Sequence, residues 1–175
     1  MDALMINMSP KQPATNWDAV FAEVNAWRGA CVHHFSAVEV AVTETLLSLS
    51  EIRPGGTAIR LRHLIGQRLE DMTAAVAPDG PFHDAGKAAH GDLVHYREKH
   101  ETFRNLLCHG FTKISVERNG HWVLVMRVLA IRSGKAERNT LVLDQSDALA
   151  KLEALRRDGS RLASALGQLR KLLES

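Results

Sequence analysis

The run TKISVERNGHWVLVMRV, residues 112–128, changes the period of the chain. Before it, apolar residues recur every three or four positions; within it they alternate. Alternation sends successive side chains to opposite faces of a strand, whereas the three-and-four spacing marks one face of a helix. Asn119–Gly120 divides the run, and Asn-Gly tolerates the positive φ angles of a tight hairpin turn. With a two-residue loop, Val116 faces Val123 and Ile114 faces Val125, giving one apolar face. Trp122 then falls on the other face, beside basic residues, where an indole can stack on a base. SerGlyLysAla at 133–136 reads as a second turn and AsnThrLeuValLeu at 139–143 as a third strand.

On either side of this run the pattern is helical. Thr15 and Asn16 offer a capping side chain, with Asp18 in the first turn. Val20, Val24, Trp27, Cys31, Phe35, Val38, Val42, Leu46 and Leu49 then form one stripe more than 30 residues long, with Gly29 as a point of bending. ArgProGlyGly at 53–56 ends it. A second helix is expected from Thr57, with its stripe at Leu61, Leu64, Ile65, Arg68, Leu69, Met72 and Val76. A third is expected from Phe82 to Cys108 through Ala89, Leu93, Tyr96, Phe103 and Leu107, closed by His109 and Gly110. The last begins at Asp144 or Ser146 and carries Leu149, Leu152, Leu155, Leu162, Leu166, Leu169 and Leu173, interrupted at Gly159. The expected fold is mainly α: an antiparallel bundle of about four helices with a two- or three-stranded antiparallel sheet inserted at about 111–143, before the last helix. Residues 1–14 read as a flexible tail and 15–175 as a single domain.

The chain has 175 residues, 45% hydrophobic and 24% charged, the composition of a folded globular domain. No apolar run approaches the roughly 20 residues that span a bilayer, and the N-terminus lacks the pattern of a signal peptide. Cys31 and Cys108 make neither a disulfide framework nor a CxxC, which suits reduced thiols in the cytoplasm. The formal net charge of +2 is unevenly spread. Residues 1–50 set Lys11 and Arg28 against Asp2, Asp18, Glu23, Glu39 and Glu44. Residues 111–143 set Lys113, Arg118, Arg127, Arg132, Lys135 and Arg138 against Glu117 and Glu137, a surplus of positive charge. That surplus can meet phosphates, or it can keep a wet strand face soluble.

The end of the third helix carries the chemistry: FRNLLCHG, residues 103–110. The Arg-x4-His spacing is not rare in a chain with nine histidines, and Arg28–His33 repeats it. Context separates the two: Asn105 follows Arg104, Gly110 follows His109, and a helix precedes the pair. A His, with an ordinary pKa of about 6.5, can take and return a proton near neutrality. An Arg can fork onto two phosphate oxygens as charge builds, and an Asn can hydrogen-bond either partner. The bland alternative is a helix end, with His109 interacting with the dipole and Arg104 paired to Glu98 or Glu101. Five helical positions turn through about 500°, leaving Arg104 and His109 about 140° apart around the axis, so one helix presents them poorly to one target. Two helices facing across a twofold axis present both.

ArgAsnLeuLeuCysHis resembles the signature of HEPN domains, small helical bundles whose motif is an Arg, usually a polar residue, several mostly apolar residues and a His. The resemblance covers residues 104–109, and the inserted hairpin departs from the simplest four-helix form. It implies a metal-independent endoribonuclease assembled as a homodimer, of the kind found in toxin–antitoxin pairs, phage defence and CRISPR-associated RNases. Arg104, His109 and Asn105 would be the catalytic residues, RNA the substrate, an antitoxin protein a partner, and no cofactor or metal required. Other members have lost catalysis, so the alternative is a non-catalytic dimeric interaction module that binds a protein partner or nucleic acid without cleavage. Glu39, beside the first stripe, is a candidate to orient Arg104 or His109 from across the bundle. His100, one turn before Arg104, either joins the site or sits on the surface; His95 and Arg97 are weaker versions of the same choice. Lys113, Arg118 and Arg127 are the expected RNA contacts. The adjacent His33 and His34 point about 100° apart on a helix and do not chelate one ion well.

Overall fold

The computed structural model describes residues 16–52, 59–132 and 135–174. The tail at 1–14, the loop at 53–56, the expected helix start at Thr57 and the first half of the second turn lie outside them. Among the described residues four helices and one sheet follow in the order α1 (Trp17–Glu51), α2 (Ile65–Val76), α3 (His83–His109), β1 (Phe111–Val116), β2 (Trp122–Arg132), β3 (Lys135–Asp144) and α4 (Gln145–Glu174). The sheet is antiparallel in the order β1-β2-β3, and the chain is mainly helical, with the sheet inserted before the last helix.

Asn16 caps α1 by accepting a hydrogen bond from the Ala19 N–H at 3.2 Å. The α1 stripe is buried from Val24 to Leu49, and the helix runs unbroken through Gly29. At the start of α4, Asp144 accepts from the Ser146 hydroxyl at 2.7 Å and from the Asp147 N–H at 2.8 Å, the latter one of the backbone donors that a helix start leaves open. α3 runs antiparallel to its sequence neighbours: Thr73 of α2 meets Arg97, while Asp92 and His100 of α3 meet Arg161 and Asp158 of α4. α1 and α4, far apart in sequence, run parallel, since Trp27 meets Ala148, Val38 meets Gly159 and Thr45 meets Arg170.

Five expectations are corrected. α2 begins at Ile65, not Thr57. Arg62 stays outside the helix and forks onto Asp71 at 2.7 Å through Nε and Nη2, with further bonds to Glu70 and the Gln67 carbonyl, which holds the preceding segment extended along α2. Gly159 does not interrupt α4; it lies buried in an unbroken helix, where an added Cβ would sit 3.1 Å from Val38 Cγ2, so its bareness lets α1 and α4 approach. β3 spans Lys135–Asp144 rather than 139–143 alone. Leu149 is exposed, outside the apolar stripe of α4.

The fifth correction is the register of the first hairpin. Val116 pairs with Trp122 and Ile114 with Leu124, one residue away from the two-residue-loop expectation. The Gly120 N–H donates to the Glu117 carbonyl at 3.0 Å and the Glu117 N–H to the His121 carbonyl at 2.8 Å, while Gly120 adopts φ +87°. This is a type I turn followed by a left-handed glycine, the three-residue alternative to the tight two-residue turn. Asn119 adds a local lock, accepting from the His121 N–H at 2.8 Å. A shift of one residue exchanges the faces of the strand. Trp122, Leu124 and Met126 therefore turn inward with Ile114 and Val116, and Val123 and Val125 turn outward. Trp122 is 1% exposed and its ring lies 6.1 Å from that of Trp27, so it is a core residue and not a stacking platform.

Truncation separates the two registers. Trp122→Ala should cost about 3–5 kcal/mol in a urea melt, whereas Val142→Ala, on the outward face, should stay within about 0.5 kcal/mol. Equal losses would contradict the register.

Candidate functional site

Arg104 points from α3 toward α1. Its Nε donates to Glu39 Oε1 at 2.8 Å, joining helices 65 positions apart in sequence, and both side chains are about a quarter exposed. The pair tops a small cavity of about 20 Å³, walled by Phe35, Leu69, Tyr96 and His100, with room for about one water. Partial exposure limits the ion pair's contribution to about 1 kcal/mol or less. Among the described residues only Nε is engaged, and Nη1 and Nη2 make no hydrogen bond. Glu98 and Glu101, the expected local partners, are not used: Glu101 pairs with Arg97 instead, at 3.4 Å.

His100 borders the same cavity but is not a surface residue; it is 2% exposed. Its Nε2 lies 3.0 Å from Asp158 Oδ2 of α4, and His95 Nε2 reaches the same oxygen at 3.3 Å. Arg157 Nε donates to Asp158 Oδ1 at 3.2 Å. Burial pushes the Asp158 carboxyl up, but hydrogen bonds from His100 and Arg157 outweigh it and hold the carboxyl below its ordinary value. Burial pulls His100 below the ordinary imidazole value, against the opposing pull of Asp158. An ionised carboxylate only accepts, so Nε2 of neutral His100 carries the proton and Nδ1 is a bare acceptor. His100 Nδ1 and the Tyr96 hydroxyl are both buried without a hydrogen-bond partner. Burial also pushes the Tyr96 phenol well above its ordinary range, with Glu39 adding to the rise.

His109 and Asn105 occupy a different side of α3. His109 is exposed and makes no hydrogen bond among the described residues. It stands at the head of two grooves. One, about 440 Å³, runs over the sheet past Phe111, Arg127, Arg138 and Thr140. The other, about 370 Å³, lies between α3 and the β2–β3 ribbon and is lined by Thr102, Asn105 and Asn139. Arg104 borders neither. Within one chain, then, Glu39, His100 and Arg104 share one cavity, Asn105 and His109 share another, and the two sets stay apart, as the helical repeat requires. Arg28, the other Arg of that spacing, donates to the Leu107 carbonyl at 3.4 Å and so stands at the C-terminal end of α3. Gly110, the C-cap, is extended at φ −78° rather than left-handed.

Of the expected RNA contacts, Lys113 and Arg127 lie on the outward face of the sheet, near the His109 end. Arg118 sits in the turn at the other end and does not join them. Four participants were not singled out from sequence. Asp158 was hidden because a polar residue within a helix reads as an ordinary break in the pattern, and Tyr96 because it fits the apolar stripe of α3 and so reads as packing. Phe111 and Arg138 were hidden because the face of a strand depends on register. Cys31 is buried and its thiol is pushed up to about 12, mainly by burial, which makes it a poor nucleophile. Among the described residues no group of three His, Cys, Asp or Glu side chains is placed to hold a metal ion, and no helix is long and apolar enough to cross a membrane. No family model matches the chain, and no curated protein and no solved structure is similar to it.

The depressed pKa of His100 fixes the sign of a pH effect. The unfolded chain binds the proton more readily, so stability is complete above the unfolded value of about 6.5 and is lost as the pH falls toward the lower folded value. Asp158 adds a second loss at more acid pH. Urea midpoints should therefore fall between about pH 7.5 and about pH 5.5, and His100→Gln should flatten that fall. A wild type and variant that change in parallel would remove His100 from the cause.

Proposed function

We propose that the chain is a cytoplasmic, metal-independent endoribonuclease of HEPN type, working as a homodimer. The observation that carries this reading is the state of the two side chains. His109 is exposed, with no hydrogen bond among the described residues, at the head of a groove bordered by arginines. Arg104 is aimed by Glu39 through Nε, leaving both Nη groups for a phosphate. In the reaction the RNA 2′-oxygen attacks the adjacent phosphorus while His109 accepts its proton. The guanidinium of Arg104 offsets the charge on the equatorial oxygens. The P–O5′ bond then breaks, and an imidazolium returns a proton to the 5′-oxygen, leaving a 2′,3′-cyclic phosphate and a 5′-hydroxyl. Asn105, one turn before His109 on the same groove, orients the imidazole or a phosphate oxygen. Because one chain turns Arg104 and His109 to different sides of α3, the reading requires a second copy whose α3 end faces the first across a twofold axis.

A second reading is a non-catalytic module that dimerises and binds a partner such as an antitoxin. It is favoured by the same separation: Arg104 has a structural partner in Glu39, and His109 does not border its cavity. The two readings give different results with an unstructured RNA in the presence of EDTA. On the enzyme reading wild type cleaves, and Arg104→Ala and His109→Ala each lower the rate by about 100-fold or more while melting and sedimenting as wild type. On the module reading no cleavage occurs, and the variants differ from wild type only in stability or assembly.

A further inference from the structure

The outward face of the sheet carries a pattern that neither solubility nor packing requires. Phe111 opposes Arg127 across β1 and β2, Arg127 opposes Thr140, and Arg138 opposes Leu129. Lys113, two residues along β1 from Phe111, is a diagonal neighbour of Arg127, which is in turn a diagonal neighbour of Arg138. The three cations thus cross the three strands in one oblique line, with about 7–8 Å between diagonal positions. All three are exposed, and none forms an ion pair among the described residues. On this face the acid at the end of β3, Asp144, is engaged in capping α4. Beside the line stands Phe111, 75% exposed, with Leu129 and Val142 also open to solvent. Lys and Arg on a wet strand are common solubility devices, but an exposed phenyl ring among them works against solubility.

We infer that this face is a single-stranded RNA subsite, in which Phe111 stacks on a base and Lys113, Arg127 and Arg138 hold the flanking phosphates. The inference rests on the RNA reading above and adds the surface that delivers the strand. Charge selects the occupant. A second copy docking here about a twofold axis would bring the three cations of each copy against those of the other, a like-charge meeting that disfavours the contact. A polyanion with flat apolar rings satisfies both halves of the pattern, since base–aromatic stacking is tolerant of sequence and backbone contacts need only positive charge. Position agrees: the groove over Phe111, Arg127 and Arg138 is about 440 Å³ and has His109 on its rim, so a nucleotide on Phe111 places an adjoining phosphate near the imidazole. The β1–β2 register is what builds this surface; a one-residue slip would turn Phe111 and Lys113 to the face opposite Arg127.

The test is fluorescence anisotropy with a labelled unstructured RNA 12-mer, in a His109→Ala background so that the probe stays intact, across a KCl series. Phe111→Ala and Phe111→Leu should weaken binding about 5- to 100-fold, and Phe111→Tyr should restore it, because leucine keeps apolar area but not a stacking face. Arg127→Gln with Arg138→Gln should weaken binding and reduce the slope of log K against log salt by about 1.4. Folding is checked by circular dichroism. The subsite is overturned if Tyr and Leu behave alike, if a poly-glutamate peptide of equal charge competes as well as RNA, or if the Phe111 variants change the sedimentation of the protein and not its RNA affinity. If wild type cleaves RNA but these variants bind normally, the subsite fails and the nuclease reading stands. If wild type neither binds nor cleaves RNA, both fail together.

Discussion

Trp27 sits where four elements meet. Its indole lies 6.1 Å from Phe103 of α3 and 6.1 Å from Trp122 of β2, and its Nε1 donates to the Ala148 carbonyl of α4 at 2.8 Å. Phe35, two turns along α1, meets Phe103 at 5.8 Å. Large rings at the junction of two architectures supply apolar area that neither could bury alone, and the indole N–H fixes the depth of insertion by finding an acceptor. Leu124, Met126 and Leu143 on the inward face join the same core, so the bundle holds the sheet along that face. His109, the last residue of α3, stands two residues before the sheet begins at Phe111.

The far side of α3 is built from a different chemistry. There the bundle buries Asp158, His100 and Tyr96 and leaves Glu39 and Arg104 near the surface above them. A buried carboxylate is costly unless its oxygens are satisfied, and Asp158 has His100, His95 and Arg157 around it. The ring of His100 lies 5.0 Å from that of Tyr96. Together they make a polar strut between α3 and α4 immediately below the guanidinium. One helix thus carries a charge-paired flank and an open one, and Arg104 and His109 face away from each other for no reason beyond 3.6 residues per turn.

Most of the fold was legible because burial repeats. The stripes of α1, α3 and α4 announced themselves, and the change of period at Thr112 announced the sheet. What escaped were decisions made by single side chains. Leu61 and Leu64 fit a helical stripe by spacing, yet they precede the helix, and Arg62 between them forks to Asp71 from outside it. Gly159 looks like a break in sequence and is a point of close approach in space. Asn119–Gly120 fits two loop lengths that differ by one residue, and only the hydrogen bonds of Glu117 choose between them. That choice decides whether Trp122 shares a face with Phe111 or turns away from it into the core. The local composition at Arg104 and His109 was readable, and the Glu39 contact could be named as a possibility; the Asp158 strut could not, because nothing in the letters distinguishes an inward Asp from an outward one.

Beyond Arg127, β2 pairs with β3 alone, from Val128–Asn139 to Arg132–Lys135. Two strands without a third resist twisting and bending far less than a full sheet does. The space between α3 and this ribbon therefore has unequal walls: a long helix anchored along its length, and a narrow flap with Leu129 and Ile131 bare to solvent. Anything that wedges there is accommodated by the flap. The helix end keeps its place, so the compliance of the cleft is separated from the rigidity that holds His109.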